Sequence, residues 1–238
     1  MEMGAFLAAV GAGLAIGISG MGSGIGVGIT GAAASGVVAE KPEKFGMCLV
    51  FQALPQTQAI YGLLTAILIM MGTGLLGGGA EDIPVSVGLV AIGCGLAVGF
   101  AGLSAIGQGI AASGGIGAAT EKSGMFGKGM VFSILPETQA IYGLLIAILL
   151  MAFTGMFTKQ FDVTVNQGMA VIGAGLAVGI AGLSAIGQGI TASAAIGATT
   201  RNPDAMGKGL IFAVMSETFA IFGLLVAILI IFGVGLMK

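Results

Sequence analysis

Residues 135–142 read Leu135-Pro136-Glu137-Thr138-Gln139-Ala140-Ile141-Tyr142, and the run stays apolar from there to Phe157. The nearest charge on the N-terminal side is Lys128. A helix rises about 1.5 Å per residue, so Glu137 lies roughly 13 Å inside the segment, near the middle of a hydrocarbon core about 30 Å thick. A carboxylate at that depth is costly and has to be neutralised by a proton or a cation. The stretch recurs as Met215-Ser216-Glu217-Thr218-Phe219. It also appears earlier as Leu54-Pro55-Gln56-Thr57-Gln58, with an amide in place of the acid. Polar groups set repeatedly at mid-depth of long apolar helices point to an all-α membrane protein.

The composition leads to the same place. The chain is 57% hydrophobic and 8% charged, with no His and no Trp. A soluble domain carries about 25% charged residues, so this chain has too little polar surface to cover itself in water. Its net charge of −2 and its lack of a basic patch exclude a nucleic-acid partner. Cys48 and Cys94 sit in apolar stretches without metal-ligand spacing and read as small core residues. The N-terminal apolar run has no basic leader and is too long for a signal peptide, so it reads as a first span.

Three repeats cover the chain. Gly102-Leu-Ser-Ala-Ile-Gly-Gln108-Gly-Ile returns as Gly182-Leu-Ser-Ala-Ile-Gly-Gln188-Gly-Ile, and Gly17-Ile-Ser-Gly-Met-Gly-Ser23-Gly-Ile reads as a drifted first copy. Each repeat is a transmembrane helical hairpin, giving three tandem hairpins at 1–80, 81–161 and 162–238. Their six apolar segments fall near 4–38, 44–77, 84–119, 125–157, 164–199 and 204–237. Each is long enough to span a bilayer, and none shows the alternation of barrel strands.

The connections are short and polar. Residues 39–44, 120–123 and 200–204 turn each hairpin; residues 79–84 and 158–162 join one hairpin to the next. Lys41, Lys44, Lys122, Lys128, Arg201 and Lys208 lie at the hairpin turns, against Lys159 and Lys238 on the other side. By the positive-inside rule the turns are cytoplasmic and both termini face outward in the cell membrane.

The odd segments are crowded with glycine: Gly11, Gly13, Gly17, Gly20, Gly22, Gly24, Gly26 and Gly28 in the first alone. Small residues let membrane helices approach closely. The even segments carry Leu, Ile, Phe and Met. Thin and thick helices in alternation suit two concentric circles, glycine helices inside, if the protein forms a ring. The spacing Gly173-x-Gly175-x-x-x-Gly179 is wrong for a dinucleotide fingerprint and lies at mid-membrane. The Met and Phe stripe of the even segments reads as packing or lipid contact.

Gln108 precedes Glu137 by 29 residues, and Gln188 precedes Glu217 by 29. Within a hairpin those positions stand at similar depth, so amide and acid can meet. Together with the Pro136-Glu137-Thr138 element and the glycine-rich first helices, these glutamines make the chain resemble the proteolipid rotor subunit (the c or K subunit) of archaeal and vacuolar-type rotary ATPases. The resemblance spans the whole chain as three fused hairpins.

The resemblance implies an oligomeric rotor ring in which Na+ or H+ binds between neighbouring hairpins. One hairpin supplies Gln and Glu. The preceding outer helix supplies a Thr, a Gln, the carbonyl before the Pro, and a Tyr that closes over the acid. Carried onto this chain, the first site is Gln108 and Glu137 with Thr57, Gln58, the carbonyl of Leu54, and Tyr61. The second is Gln188 and Glu217 with Thr138, Gln139, the carbonyl of Leu135, and Tyr142. A third interface, to the first hairpin of another copy, would offer Gln56, Ser23, Thr218, Phe219 and Phe222. Acid, both glutamines and tyrosine are all replaced there, so it reads as a degenerate interface that leaves two ion sites per chain. Ser216 stands where the other repeats have Pro.

Two amides, a hydroxyl and a carbonyl around one acid are more than a proton needs, whereas a hard cation takes several oxygens in place of its hydration shell. Sodium is therefore favoured over protons as the transported ion, with no other cofactor. Thr57 and Thr138 have an alternative role, bonding back to their own helix carbonyls; Tyr61 and Tyr142 have one as interface or lipid-facing aromatics. The chain is not an enzyme by itself. Its expected partners are further copies of itself, lipid, central-stalk subunits, and a membrane stator subunit that supplies an Arg. A secondary transporter is a second reading, but its repeats would be inverted and its helices broken, whereas these repeats read as parallel and unbroken. A pore-forming or structural proteolipid is a third.

Overall fold

The computed structural model describes residues 2–77 and 82–237. Among them, six helices are long and apolar enough to cross a membrane: α1 (Met3–Glu40), α2 (Pro42–Gly72), α3 (Val85–Glu121), α4 (Met125–Phe153), α5 (Val165–Arg201) and α6 (Pro203–Gly233). They pair as three hairpins, α1–α2, α3–α4 and α5–α6, in an all-helical multi-pass membrane protein. Residues 79–81 of the first inter-hairpin connection, which hold the expected boundary at 80/81, and Lys238 lie outside the described residues.

The glycine-rich helices α1, α3 and α5 stand in a row, with α2, α4 and α6 packed behind them. The row is tight because its contacts are backbone on backbone. A Cβ added at Gly95 would overlap the backbone of Gly11, and one at Gly109 that of Gly26. Gly175 and Gly189 meet Gly93 and Gly107 in the same way. In the apolar stretch of α3, 72% of residues are buried, against 39% in α1 and in α5. The middle helix has a glycine neighbour on both sides, and each outer member of the row has one open side.

Each hairpin turn has a local cause. In the first and third, one residue leaves the helical region: Lys41 (φ −134°, ψ 74°) and Asn202 (φ −132°, ψ 106°). Pro42 and Pro203 follow, disfavouring helix in the residue before them while starting the next helix readily. In the second turn Gly124 takes φ 87°, in the left-handed region. Lysines tie successive turns together. Lys41 Nζ donates to the carbonyl of Thr120 at 3.3 Å and Lys122 Nζ to that of Thr200 at 3.0 Å, each at the carbonyl end of the next inner helix.

Three expectations are corrected. The even helices end at Gly72, Phe153 and Gly233 rather than 77, 157 and 237. Gly74, Gly155 and Gly235 adopt φ of 72°, 75° and 72° and stop the helix although the sequence stays apolar. At the last two, the next N–H reaches back five residues, from Met156 to Met151 and from Leu236 to Ile231, as in a Schellman cap.

Nor are the helices unbroken. Leu54–Gln56 and Leu135–Glu137 are short 3-10 turns, because Pro55 and Pro136 lack the N–H that an α-helix needs. Without a proline, α6 keeps only a one-residue turn at Ser216. The chain keeps its direction through each.

The third correction concerns register. A Cβ at Gly26 would meet Ala105, and one at Gly107 would meet Ala185, so Gly26 stands where Gly107 stands. Gly62 packs on Ala15 and Ser19, and Gly143 on Ala97 and Ala101, so Ser19 stands where Ala101 stands. Between these points α3 has one residue fewer than α1. It makes up the length with successive i→i−3 bonds at Leu103, Ala105 and Ile106, which raise the chain about 2.0 Å per residue instead of 1.5 Å. The first copy of the glycine motif is therefore displaced by about one turn. Val27, not Ser23, occupies the position of Gln108 and Gln188, and Ser23 is level with Ser104 and Ser184.

Candidate functional site

The two acid-bearing seams have the same construction. The 3-10 turn at Leu135–Glu137 presents Glu137 from α4 toward α2 and α3. Tyr61 of α2 donates its hydroxyl to Glu137 Oε1 at 2.7 Å, and Gln108 Nε2 of α3 donates to Oε2 at 3.2 Å. Gln108 Oε1 accepts from Gln58 Nε2 at 2.7 Å. Thr57 Oγ1 lies 3.1 Å from both the Leu54 carbonyl and Gln58 Oε1, and its one hydrogen can serve only one of them at a time.

The second seam repeats every element. Tyr142 donates to Glu217 Oε1 at 2.7 Å and Gln188 Nε2 to Oε2 at 3.2 Å. Gln139 Nε2 donates to Gln188 Oε1 at 2.8 Å. Thr138 Oγ1 lies 3.0 Å from the Leu135 carbonyl and 3.1 Å from Gln139 Oε1. The threonines thus do bond back to their own helix, and the tyrosines meet the acids.

Burial divides the cluster into a closed and an open side. Gln58, Gln108, Gln139 and Gln188 are fully buried. Glu137, Glu217, Tyr61 and Tyr142 are only partly buried, so the acids sit at the outer edge of each seam with the amide oxygens behind them. Acceptor oxygens are abundant: two carboxylate, two amide, one carbonyl and one hydroxyl converge on each seam. No group of three or more His, Cys, Asp or Glu side chains that could hold a metal occurs among the described residues. A single carboxylate among neutral oxygens can balance one positive charge.

The third interface is not made within one chain. Gln56, Thr218, Phe219 and Phe222 are exposed, and the two phenylalanine rings meet edge to face with centroids 6.4 Å apart. Ser23 Oγ accepts the backbone N–H of Ala59 at 3.0 Å and is not an amide stand-in. The residue missed in the sequence is Val27. The stripe Gly13, Gly17, Gly20 and Gly28, matched to Gly95, Gly99, Gly102 and Gly109, carries the register that would have found it.

A family model described as the C subunit of ATP synthase matches this chain three times, at residues 10–69, 92–150 and 172–230. The K subunit of the A-type ATP synthase of Methanocaldococcus jannaschii is 63% identical over 94% of this chain and 95% of that protein. The K subunit of the V-type sodium ATPase of Enterococcus hirae is 40% identical over 56% of this chain and 81% of that protein. The human 16 kDa proteolipid of the V-type proton ATPase is 27% identical over 63% of this chain and 93% of that protein.

Proposed function

The chain belongs to the ATP synthase C-subunit family as a rotor subunit of an A/V-type ATPase, and on that premise we propose that Glu137 and Glu217 each bind and release one monovalent cation, Na+ in preference to H+. The observation that carries this reading is the oxygen cluster at each seam. A proton needs only the carboxyl group. The buried amide oxygens, the threonine hydroxyl and the carbonyl before the proline are what a partly dehydrated cation requires. The relative named for sodium is also more similar to this chain than the human proteolipid named for protons, at 40% against 27% identity. Acid or low sodium lets protons occupy the same carboxylates.

An occupied site is nearly neutral, so it can pass along lipid; an empty one is a bare carboxylate, which lipid disfavours. Moving one charge across the membrane potential is worth about 2.3 kcal/mol per 100 mV. Release needs a cationic group at the exit path. This chain has no Lys or Arg deep in a span, so the group comes from a stator partner, for which an arginine is the natural choice because it stays charged. ATP chemistry belongs to other subunits, reached through a central stalk on the ring. The lysine-rich hairpin turns face the cytoplasm.

Gln56, Val27, Phe219 and Phe222 leave the chain-to-chain interface without its acid, its two amides and its tyrosine. A ring of these chains carries two ions for every three hairpins, so each ATP moves fewer ions against a steeper gradient. The test is carbodiimide labelling of Glu137 and Glu217 in membranes. Protection by Na+ at constant pH is expected; labelling that follows pH alone and is indifferent to Na+ would overturn the sodium assignment.

A further inference from the structure

Two phenylalanines act as knobs between hairpins. Phe51 of α2 and Phe132 of α4 are both fully buried. Phe51 fills a socket in the second hairpin, where a Cβ at Gly115 or Gly129 would run into its ring. Phe132 fills the corresponding socket in the third, against Ala195 and Gly209. In the same register the third hairpin carries Phe212, which is 62% exposed. It is a knob without a socket in its own chain.

The first hairpin has the socket without a knob. A groove of about 420 Å³ opens on its free side, lined by Gly31, Ala34 and Cys48 among others. By the register above, Gly31 stands where Ala112 and Ala192 stand, Ala34 where Gly115 and Ala195 stand, and Cys48 where Gly129 and Gly209 stand. Those are the residues that receive Phe51 and Phe132. A second feature of the same face agrees. Gly95, Gly99, Gly102 and Gly109 each press on α1, and Gly175, Gly179, Gly182 and Gly189 each press on α3. Their counterparts Gly13, Gly17, Gly20 and Gly28 have nothing within 4 Å of an added Cβ.

We infer that the occupant of this groove is Phe212 of a second copy of the chain, with the open side of the third hairpin seated on the open side of the first. The contact is heterologous, head to tail, as needed to close a ring. It rests on the ring reading above and adds the residues that form the joint. The joint differs from the internal ones in one respect. Ser35 and Gln52 line the groove where Ile116 and Ser133, or Ile196 and Ala213, line the filled sockets. The chain-to-chain socket is therefore the more polar of the three and holds an aromatic ring less tightly.

The test uses the full chain in membranes. Phe212→Cys is combined with Ser35→Cys, on the exposed wall of the groove, and treated with a short bifunctional thiol reagent. A ladder of linked copies is expected, and omitting Ser35→Cys should abolish it. The pair Phe132→Cys and Gly209→Cys, whose contact lies within one chain, calibrates the reach of the reagent. If that pair links while Phe212→Cys with Ser35→Cys does not, or if the ladder survives without Ser35→Cys, the joint is wrong. An acyl chain of bound lipid in the groove of assembled rings would equally overturn it.

Ring integrity is read in parallel. Phe212→Ala should lower the temperature at which detergent-solubilised rings dissociate, and Phe232→Ala should not, because its counterparts Met71 and Ala152 are exposed in the other hairpins. Intact rings with no Phe212 effect would remove the joint and leave the ring reading standing. Absence of any ring would remove the ring reading itself.

Discussion

Tyr61 of the first hairpin donates its phenol to Glu137 of the second at 2.7 Å, so an acid on one hairpin is held by a hydroxyl on its neighbour. Tyr142 and Glu217 stand in the same relation. At the chain-to-chain interface the tyrosine position is Phe222 and the acid position is Gln56. The hydroxyl is kept where there is a charge to hold, which ties the tyrosine to the acid rather than to the packing.

Removing that hydroxyl should loosen the site without unfolding the seam. A hydrogen bond to a charged group contributes about 1.5–3 kcal/mol. Tyr61→Phe and Tyr142→Phe should therefore raise the sodium concentration that protects the neighbouring acid from carbodiimide by about tenfold or more. Equal protection curves for variant and parent would assign the tyrosines to packing alone.

The amides should matter in a different way. Gln108→Leu and Gln188→Leu keep volume near the acid but remove a ligand oxygen and a donor. Sodium protection should be lost at the affected acid while labelling at low pH persists, since the reagent attacks the protonated carboxyl and a proton does not need the amide. Loss of sodium protection and of low-pH labelling together would mean that the glutamine only orients the carboxylate.

Close approach in the glycine row makes a sharper structural prediction. A Cβ at Gly107 or Gly189 would overlap backbone of the neighbouring inner helix, and overpacking of this kind costs about 1–3 kcal/mol. Gly107→Ala and Gly189→Ala should reduce the amount of folded chain recovered from membranes. Gly17→Ala, which meets nothing inside one chain, should leave that amount unchanged.

The site residues were legible in the sequence because polar side chains are rare in apolar spans, so Gln108, Glu137, Tyr61 and their repeats stood out at a constant separation. The helix pattern was legible for the same reason, from long apolar runs broken by short charged turns. The ends of the even helices were not, because Leu75, Met156 and Leu236 continue the apolar run past a backbone reversal made by a single glycine. The register of α1 was hidden as well. It depends on a short turn at Gly102 and Leu103, whose i→i−3 bonds absorb one residue, and the surrounding glycines fit more than one alignment. Seeing that Val27 replaces Gln108 required the inter-helix contacts.

The degenerate interface can be rebuilt, because its missing groups are known. Gln56→Glu alone should add an acid that lacks its amide and tyrosine partners and weaken the assembled ring, since a poorly paired charge in lipid is disfavoured. Gln56→Glu combined with Val27→Gln, Phe219→Gln and Phe222→Tyr should raise carbodiimide-labelled, sodium-protected acids from two per chain to three. If the single change produced a protected third site, Val27, Phe219 and Phe222 would have no part in ion binding.

The most direct measurement is the number of sodium ions held per chain by purified rings at saturating Na+ and fixed pH, by equilibrium binding with radioactive sodium. The account predicts two, falling to one in Glu137→Gln or Glu217→Gln and to none in the double variant. Three per chain, or retention of both ions after either substitution, would contradict it.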